Sequence, residues 1–164
     1  MNELEQTLIG ASAAAPPAHI LENLSEELVH AATPGAPHTV YQELWHVAFW
    51  QQVTLDWIAG LETPCPEQAA LGFPTEAQIA AETWETLRRR FLEGAEQAAA
   101  VARDGGRLEE TIRCPSRAGK PVRTMTVREQ LESLTAHNAY HLGRIVLLRQ
   151  LHQAWPPPSG GFTW

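Results

Sequence analysis

The chain has 164 residues, of which 44% are hydrophobic, and it carries a formal net charge of −7. This length can bury one sizeable core, so we expect a single domain over residues 1–164. No apolar run approaches the roughly 18 residues that a membrane span needs, and the negative charge opposes binding to nucleic-acid phosphates.

The first residues predict the compartment of the protein, and the compartment bears on the role of the cysteines. Glu3 and Glu5 stand where a secretory signal carries Lys or Arg, so we expect a cytoplasmic protein. Cys65 and Cys114 are each followed by proline in separate loop-like segments, without Cys-x-x-Cys spacing. The spacing therefore supports neither a zinc ribbon nor a dithiol redox centre. A disulfide between them is open on the sequence, but a reducing compartment disfavours it, so we expect structural or incidental roles.

The first half of the chain predicts two helices after a short Ala-rich stretch. Pro17 suits the first turn of a helix, and apolar residues follow it at helical spacing up to Ala32. A Pro- and Gly-rich stretch ends that helix. Thr39 and Gln42 then have capping-box spacing, and the second helix is predicted to run from there to Gly60.

The second half predicts two further helices, separated by a short extended segment. Capping boxes begin them at Thr75 and Thr126, and they are expected to end near Asp104 and Leu151. Between them, residues 107–125 lose the helical period and predict a small hairpin or an ordered flap. The fold class expected from these patterns is all-α.

The sequence also gives residue ranges for the hairpin and for the C-terminal tail. The strands of the hairpin are predicted at residues 111–114 and 122–125, around a turn over residues 116–120. The tail over residues 152–164 is too rich in Pro and Gly to continue a helix. We expect its two tryptophans, Trp155 and Trp164, to hold it against the helices.

A pair of histidines lies four residues apart in the last predicted helix, within an apolar stripe. At this spacing His137 and His141 share one face, about 6 Å apart along the axis, so both imidazoles can reach one cation. A zinc-class ion usually takes three or more protein ligands. His46 supplies a third, because it begins the apolar stripe of the second helix. We therefore predict a metal site formed by His46, His137 and His141.

Burying three imidazoles without compensation is costly, and a metal ion offsets that cost. The remaining histidines lie near helix or loop ends, where we expect exposed or capping roles: His19, His30, His38 and His152.

Two other metal arrangements fit the sequence less well. Glu27 and His30, like Glu43 and His46, have the Glu-x-x-His spacing of di-iron bundles. However, His30 lies near the end of its helix, whereas His46 lies well inside the next. The pair in the last helix also has the spacing of zinc metalloproteases, in which a Glu after the first His is the general base. Asn138 occupies that position and cannot take a proton.

Three stretches together resemble the DinB/YfiT-like superfamily of metal-dependent enzymes, from about residue 17 to the C-terminus. They are Glu43-Leu44-Trp45-His46-Val47-Ala48-Phe49-Trp50, His137-Asn138-Ala139-Tyr140-His141-Leu142-Gly143-Arg144-Ile145 and Trp155-Pro156-Pro157-Pro158-Ser159-Gly160-Gly161. The resemblance implies a four-helix bundle in up-down-down-up order and a homodimer. It also implies a divalent ion, which is zinc, nickel or iron, held by His46, His137 and His141.

The resemblance further implies a small-molecule substrate. Some members of the superfamily transfer low-molecular-weight thiols such as bacillithiol or act with mycothiol, others are called hydrolases, and many have no assigned reaction. We therefore carry two hypotheses. The first is a metal-dependent thiol transferase or related hydrolase, and the second is a non-catalytic metal-binding stress-response bundle.

Two further residues are candidates for the site, although none is assigned a catalytic role. Glu43 lies one turn before His46 and is expected to orient an imidazole, to accept a proton or to form a structural ion pair. Arg144 stands where relatives often have Gln and lies beside His137 on the helix surface. A fixed cation there would favour an anionic ligand, so Arg144 is the predicted substrate contact.

Overall fold

A computed structural model of the chain describes residues 1–10, 12–115 and 120–160, with only the backbone described at residues 69–70. These residues form seven α-helices and one small sheet. The helices are α1 (Glu3–Ile9), α2 (Pro17–Ile20), α3 (Glu26–His30), α4 (Val40–Ile58), α5 (Glu76–Ala81), α6 (Trp84–Arg103) and α7 (Val127–Leu151). The chain is therefore mostly helical, as the sequence predicts. No helix within these described residues is long and apolar enough to cross a membrane.

The predicted capping boxes are confirmed at the starts of α4, α5 and α7. At α4 the Thr39 hydroxyl accepts from the Gln42 N–H, and the Gln42 side chain accepts from the Thr39 N–H. Thr75 and Thr126 begin α5 and α7 in the same way. These caps satisfy N–H groups that a helix start leaves without partners, and they fix where α4 and α7 begin.

Two helices are shorter than the sequence predicts. The helix expected from Pro17 to Ala32 is divided into α2 and α3, because Asn23 adopts a left-handed conformation (φ 51°) and Ser25 caps a new start. The helix expected from Thr75 is likewise interrupted, since the Thr83 hydroxyl accepts from the Thr86 N–H and begins α6. The prediction of continuous helices was wrong at both places.

The predicted hairpin is confirmed. Strand β1 (Thr111–Cys114) pairs antiparallel with β2 (Arg123–Thr126), with Cys114 opposite Arg123. The turn predicted over residues 116–120 lies outside the described residues except for Lys120. Because β2 leads directly into α7, the hairpin lies beside the first turns of that helix.

Helix α4 packs along both α6 and α7, and the core fills the spaces between them. Arg149 of α7 holds the tail against this core. Its side chain is only 1% exposed and donates to the carbonyls of Ala154, in the tail, and Ile20, in α2. The Arg149 guanidinium lies 5.4 Å from the centre of the Trp155 ring. Trp155 thus packs the tail on the helices as expected, while Trp164 lies outside the described residues.

Candidate metal centre

Three imidazoles meet where α4 and α7 face each other. The Nε2 atoms of His46 and His137 are 3.1 Å apart, and the ring of His141 lies 4.5 Å from that of His46 and 4.6 Å from that of His137. One nitrogen from each ring lies within 4.8 Å of the others. The structure therefore brings together the three histidines that helical spacing had selected.

His46 is held in one orientation by the loop before α5. Its Nδ1 lies 2.8 Å from the carbonyl oxygen of Gly72, so Nδ1 carries the proton and the Nε2 lone pair faces the other imidazoles. A side chain at Gly72 would press on the site, because a Cβ there would lie 3.2 Å from Trp50 Nε1 and 3.3 Å from His46 Nδ1. Burial lowers the pKa of His46, which keeps this imidazole neutral.

His141 is oriented by a buried carboxylate. Glu43 is 0% exposed, and its Oε2 lies 2.6 Å from His141 Nδ1. Its other oxygen, Oε1, lies 2.9 Å from a guanidinium nitrogen of Arg144. With Nδ1 bonded to the carboxylate, Nε2 of His141 is directed to the cluster. Glu43 thus acts on the imidazole through Oε2, while Oε1 forms the ion pair with Arg144 and has no hydrogen-bond partner among the described residues.

His137 differs from the other two histidines. Its Nδ1 is buried and has no hydrogen-bond partner among the described residues. Burial, followed by the nearby His141 and His46, lowers its pKa to about 4. His137 is therefore neutral near pH 7. If the single proton of its ring lies on Nδ1, the Nε2 lone pair faces that of His46 and can bind a metal ion.

The arrangement fits a divalent metal ion. Three neutral imidazoles offer lone pairs to one point, and hydrogen bonds from two of them to a carbonyl and a carboxylate fix which nitrogen is offered. Without a cation, the close Nε2 atoms of His46 and His137 can share at most one proton. The donor set is that of a zinc-class site with a position left for a further ligand.

Arg144 lies on the other side of Glu43 from the imidazoles. Its guanidinium donates to the Tyr140 hydroxyl at 3.3 Å and lies 5.7 Å from the centre of that ring. It also lines a surface pocket together with His38. The cation is thus tied to Glu43 and Tyr140, and its contact with a substrate stays a prediction.

Two rings beside the site, Phe73 and His38, were not assigned to it from the sequence. The Phe73 ring stacks on His46 with centroids 4.2 Å apart, and His38 stacks on Phe73 at 3.8 Å. His38, expected to be an exposed or capping residue, is partly buried, and burial lowers its pKa. In the sequence, Phe73 is marked only by Gly72 before it and by the capping box of α5 after it. Such a pattern does not specify the conformation of a loop.

Comparison with known proteins supports the family resemblance seen in the sequence. The profile of the DinB superfamily matches residues 18–145, which include all three histidines. A search of curated proteins finds no match.

Proposed function

We propose that this chain, which belongs to the DinB superfamily, is a metal-dependent enzyme that transfers a small thiol to an electrophilic carbon. The observation that carries the proposal is the oriented set of three neutral imidazoles, His46, His137 and His141, beside an open pocket. A purely structural cluster would not need two imidazoles oriented by a buried carboxylate and a loop carbonyl.

The pocket provides room for a substrate. It has a volume of about 280 Å³ and is lined by His137 and by two tryptophans, Trp50 and Trp57. A site sealed by Trp50 or by the tail would favour a binding protein. Here Trp50 lines the pocket beside His137 and does not fill it. Arg149 holds the tail through contacts with Ile20 and Trp155. The pocket beside His137 therefore supports an enzyme over a metal-storage bundle.

A divalent cation held by neutral ligands lowers the pKa of a thiol or water that it binds, so that a nucleophile is available at neutral pH. In the proposed reaction the thiol loses its proton to solvent, and its sulfur forms a bond to the electrophilic carbon as the leaving group departs. Glu43 holds the proton on His141 Nδ1, and the Gly72 carbonyl holds that on His46 Nδ1. These residues keep the lone pairs aligned and do not themselves accept the thiol proton.

The remaining expectations for the site and the assembly are part of the same proposal. The ion is zinc, nickel or iron, the helices follow the up-down-down-up order of the superfamily, and the protein works as a cytoplasmic homodimer. Water is the alternative nucleophile, which would make the protein a hydrolase.

The proposal is tested by metal analysis followed by a conjugation assay. The purified protein is loaded with zinc, nickel or iron, and transfer of bacillithiol or mycothiol to monochlorobimane is followed by fluorescence. We expect metal-dependent activity that His46→Ala removes. His30→Ala is the matched control, because His30 is exposed and pairs with Glu26 on the surface. Equal activity in His46→Ala and the wild type would overturn the proposal.

A further inference from the structure

The pocket beside His137 contains one charged side chain apart from the histidine itself. The hairpin contributes Arg123 from the start of β2, and α7 contributes Ser133, both of which are exposed and lie at the mouth. The described lining includes no carboxylate. A ligand that enters here therefore meets a cation at the mouth and the imidazole of His137 within the same cavity of about 280 Å³.

The part of the pocket formed by Trp57, Gln130 and Leu134 offers an apolar surface, because the polar groups there already have partners. The Trp57 indole N–H donates to the Thr63 carbonyl at 2.7 Å. The Gln130 amide donates to the Thr54 hydroxyl at 3.0 Å. Trp57 is only 3% exposed and Leu134 also 3%, so they form a fixed wall and not a flexible patch. Such a wall binds the carbon skeleton of a ligand.

Arg123 differs from the other arginines around the hairpin. Arg113 pairs with Glu62 at 2.6 Å, and Arg128 pairs with Glu109 at 2.9 Å. Across the part of the chain that the structure describes, no carboxylate forms an ion pair with Arg123, although the protein carries a net charge of −7. An unpaired guanidinium at the mouth of a pocket is well suited to a carboxylate, which it binds with two parallel hydrogen bonds.

We propose that the substrate that enters this pocket carries a carboxylate that pairs with Arg123, while its other end reaches the centre formed by the three histidines. This rests on the proposed function for the identity of that other end, which is a thiol. The molecule is then a mercaptocarboxylic acid whose carbon skeleton lies along Trp57 and Leu134. Arg123 selects the substrate and takes no part in bond making.

The experiment uses cobalt-loaded protein, in which binding of a thiol sulfur produces a charge-transfer absorption band. Four probes are titrated: mercaptopropionate and mercaptohexanoate, with the uncharged mercaptopropanol and mercaptohexanol of the same chain lengths. Two chain lengths are used so that at least one of them can match the distance from Arg123 to the histidines. The variants are Arg123→Gln and, as the matched control, Arg113→Gln, which removes an exposed arginine from the other strand of the hairpin.

We expect at least one acid to bind roughly 3- to 10-fold more tightly than its alcohol, as for a partly exposed charge-assisted pair. Arg123→Gln should remove this preference and leave alcohol binding unchanged, while Arg113→Gln retains it. Arg123→Lys should recover part of the preference. If the acids and alcohols bind equally, or if Arg123→Gln keeps the preference, the role of Arg123 is wrong and the thiol function still stands. If no thiol produces the band, the thiol function itself fails, and this inference fails with it.

Discussion

Helices α4 and α7 hold two layers of buried polar side chains, and the two layers differ in how their hydrogen bonds are completed. In the amide layer, Gln51 donates to the Phe91 carbonyl at 2.8 Å and accepts from the Asn138 amide at 3.3 Å. In the imidazole layer, one turn away, the Nε2 atoms of His46 and His137 face each other at 3.1 Å. The amide layer joins donors to acceptors and leaves only Asn138 Oδ1 without a partner among the described residues. In the imidazole layer, two Nε2 atoms that can share at most one proton face each other, and His137 Nδ1 has no partner there.

The difference shows what each layer does. Buried amides that bond to each other and to a backbone carbonyl stabilise the packing of the helices without any ligand. Buried imidazoles that direct lone pairs to one point need a cation to complete them. Substitutions in the imidazole layer should therefore act through metal binding, and those in the amide layer should act on the fold with or without metal.

The largest effect is expected when the imidazole layer loses a ligand. A metal at 100 times its dissociation constant should stabilise the wild type by about 2.7 kcal/mol, because it binds only the folded state. His46→Ala should remove this stabilisation. Thermal unfolding with and without zinc measures it, with His30→Ala as the control that keeps the full metal effect. A metal effect of equal size in His46→Ala would place the ion elsewhere.

A smaller loss is expected when the carboxylate that orients His141 is neutralised. Glu43→Gln removes the charge that faces both His141 Nδ1 and the Arg144 guanidinium. We expect roughly 10- to 100-fold weaker zinc binding, the usual cost of losing such a partner. Competition with a zinc chelator measures the affinity. Unchanged zinc binding would show that Glu43 is only a structural ion pair.

The amide layer should respond in the opposite way. Gly94 lies opposite Gln51, and a Cβ there would come 2.4 Å from Gln51 Nε2. Although alanine usually stabilises a helix interior by up to about 1 kcal/mol over glycine, Gly94→Ala should destabilise this protein by about 1 kcal/mol, because it displaces the Gln51 amide from the Phe91 carbonyl.

Chemical denaturation of metal-free and zinc-loaded protein tests this, and the loss should be the same in both forms. Gly143→Ala in α7 is the control, since a Cβ there would meet no described atom within 4 Å. Greater stability of Gly94→Ala than of the wild type would contradict the packing described for Gln51.

The smallest effect is expected from pH in the metal-free protein, because His137 is partly exposed and water can relieve part of its desolvation. Its pKa is lowered from 6.5 to about 4 in the folded state. As pH falls from 6.5 towards 4, the unfolded chain takes up a proton that the folded chain does not, so stability decreases. Denaturation midpoints across this range test the sign, with His137→Gln expected to show a shallower decrease.

The sequence predicted the parts of the site that lie on long helices. The spacing of His137 and His141, and the position of His46 in an apolar stripe, follow from the helical period alone. Glu43 lies three residues before His46, so the sequence placed it one turn away on the same helix. In the structure Glu43 is hydrogen-bonded to His141, which lies on another helix. That partner depends on how α4 packs on α7, which local spacing does not specify.

The parts that the sequence did not predict lie in loops and at interruptions. Gly72 and Phe73 contact His46 from a segment without periodicity, so no pattern could assign them. The position of Arg123 at the pocket depends on the register of the hairpin, which sets it opposite Cys114. Asn23 and Thr83 end helical runs whose apolar spacing continues past them, so periodicity alone overestimated those helices.

X-ray absorption at the metal edge of the zinc-loaded protein determines whether the three histidines bind one ion. We expect one zinc per chain whose nearest shell contains three imidazole nitrogens, at about 2.0–2.1 Å, together with at least one light atom from solvent. In His46→Ala the number of imidazoles should decrease, or the zinc should be absent. A zinc site without imidazole ligands, or no zinc retained by the wild type, would show that the three histidines do not form a metal centre.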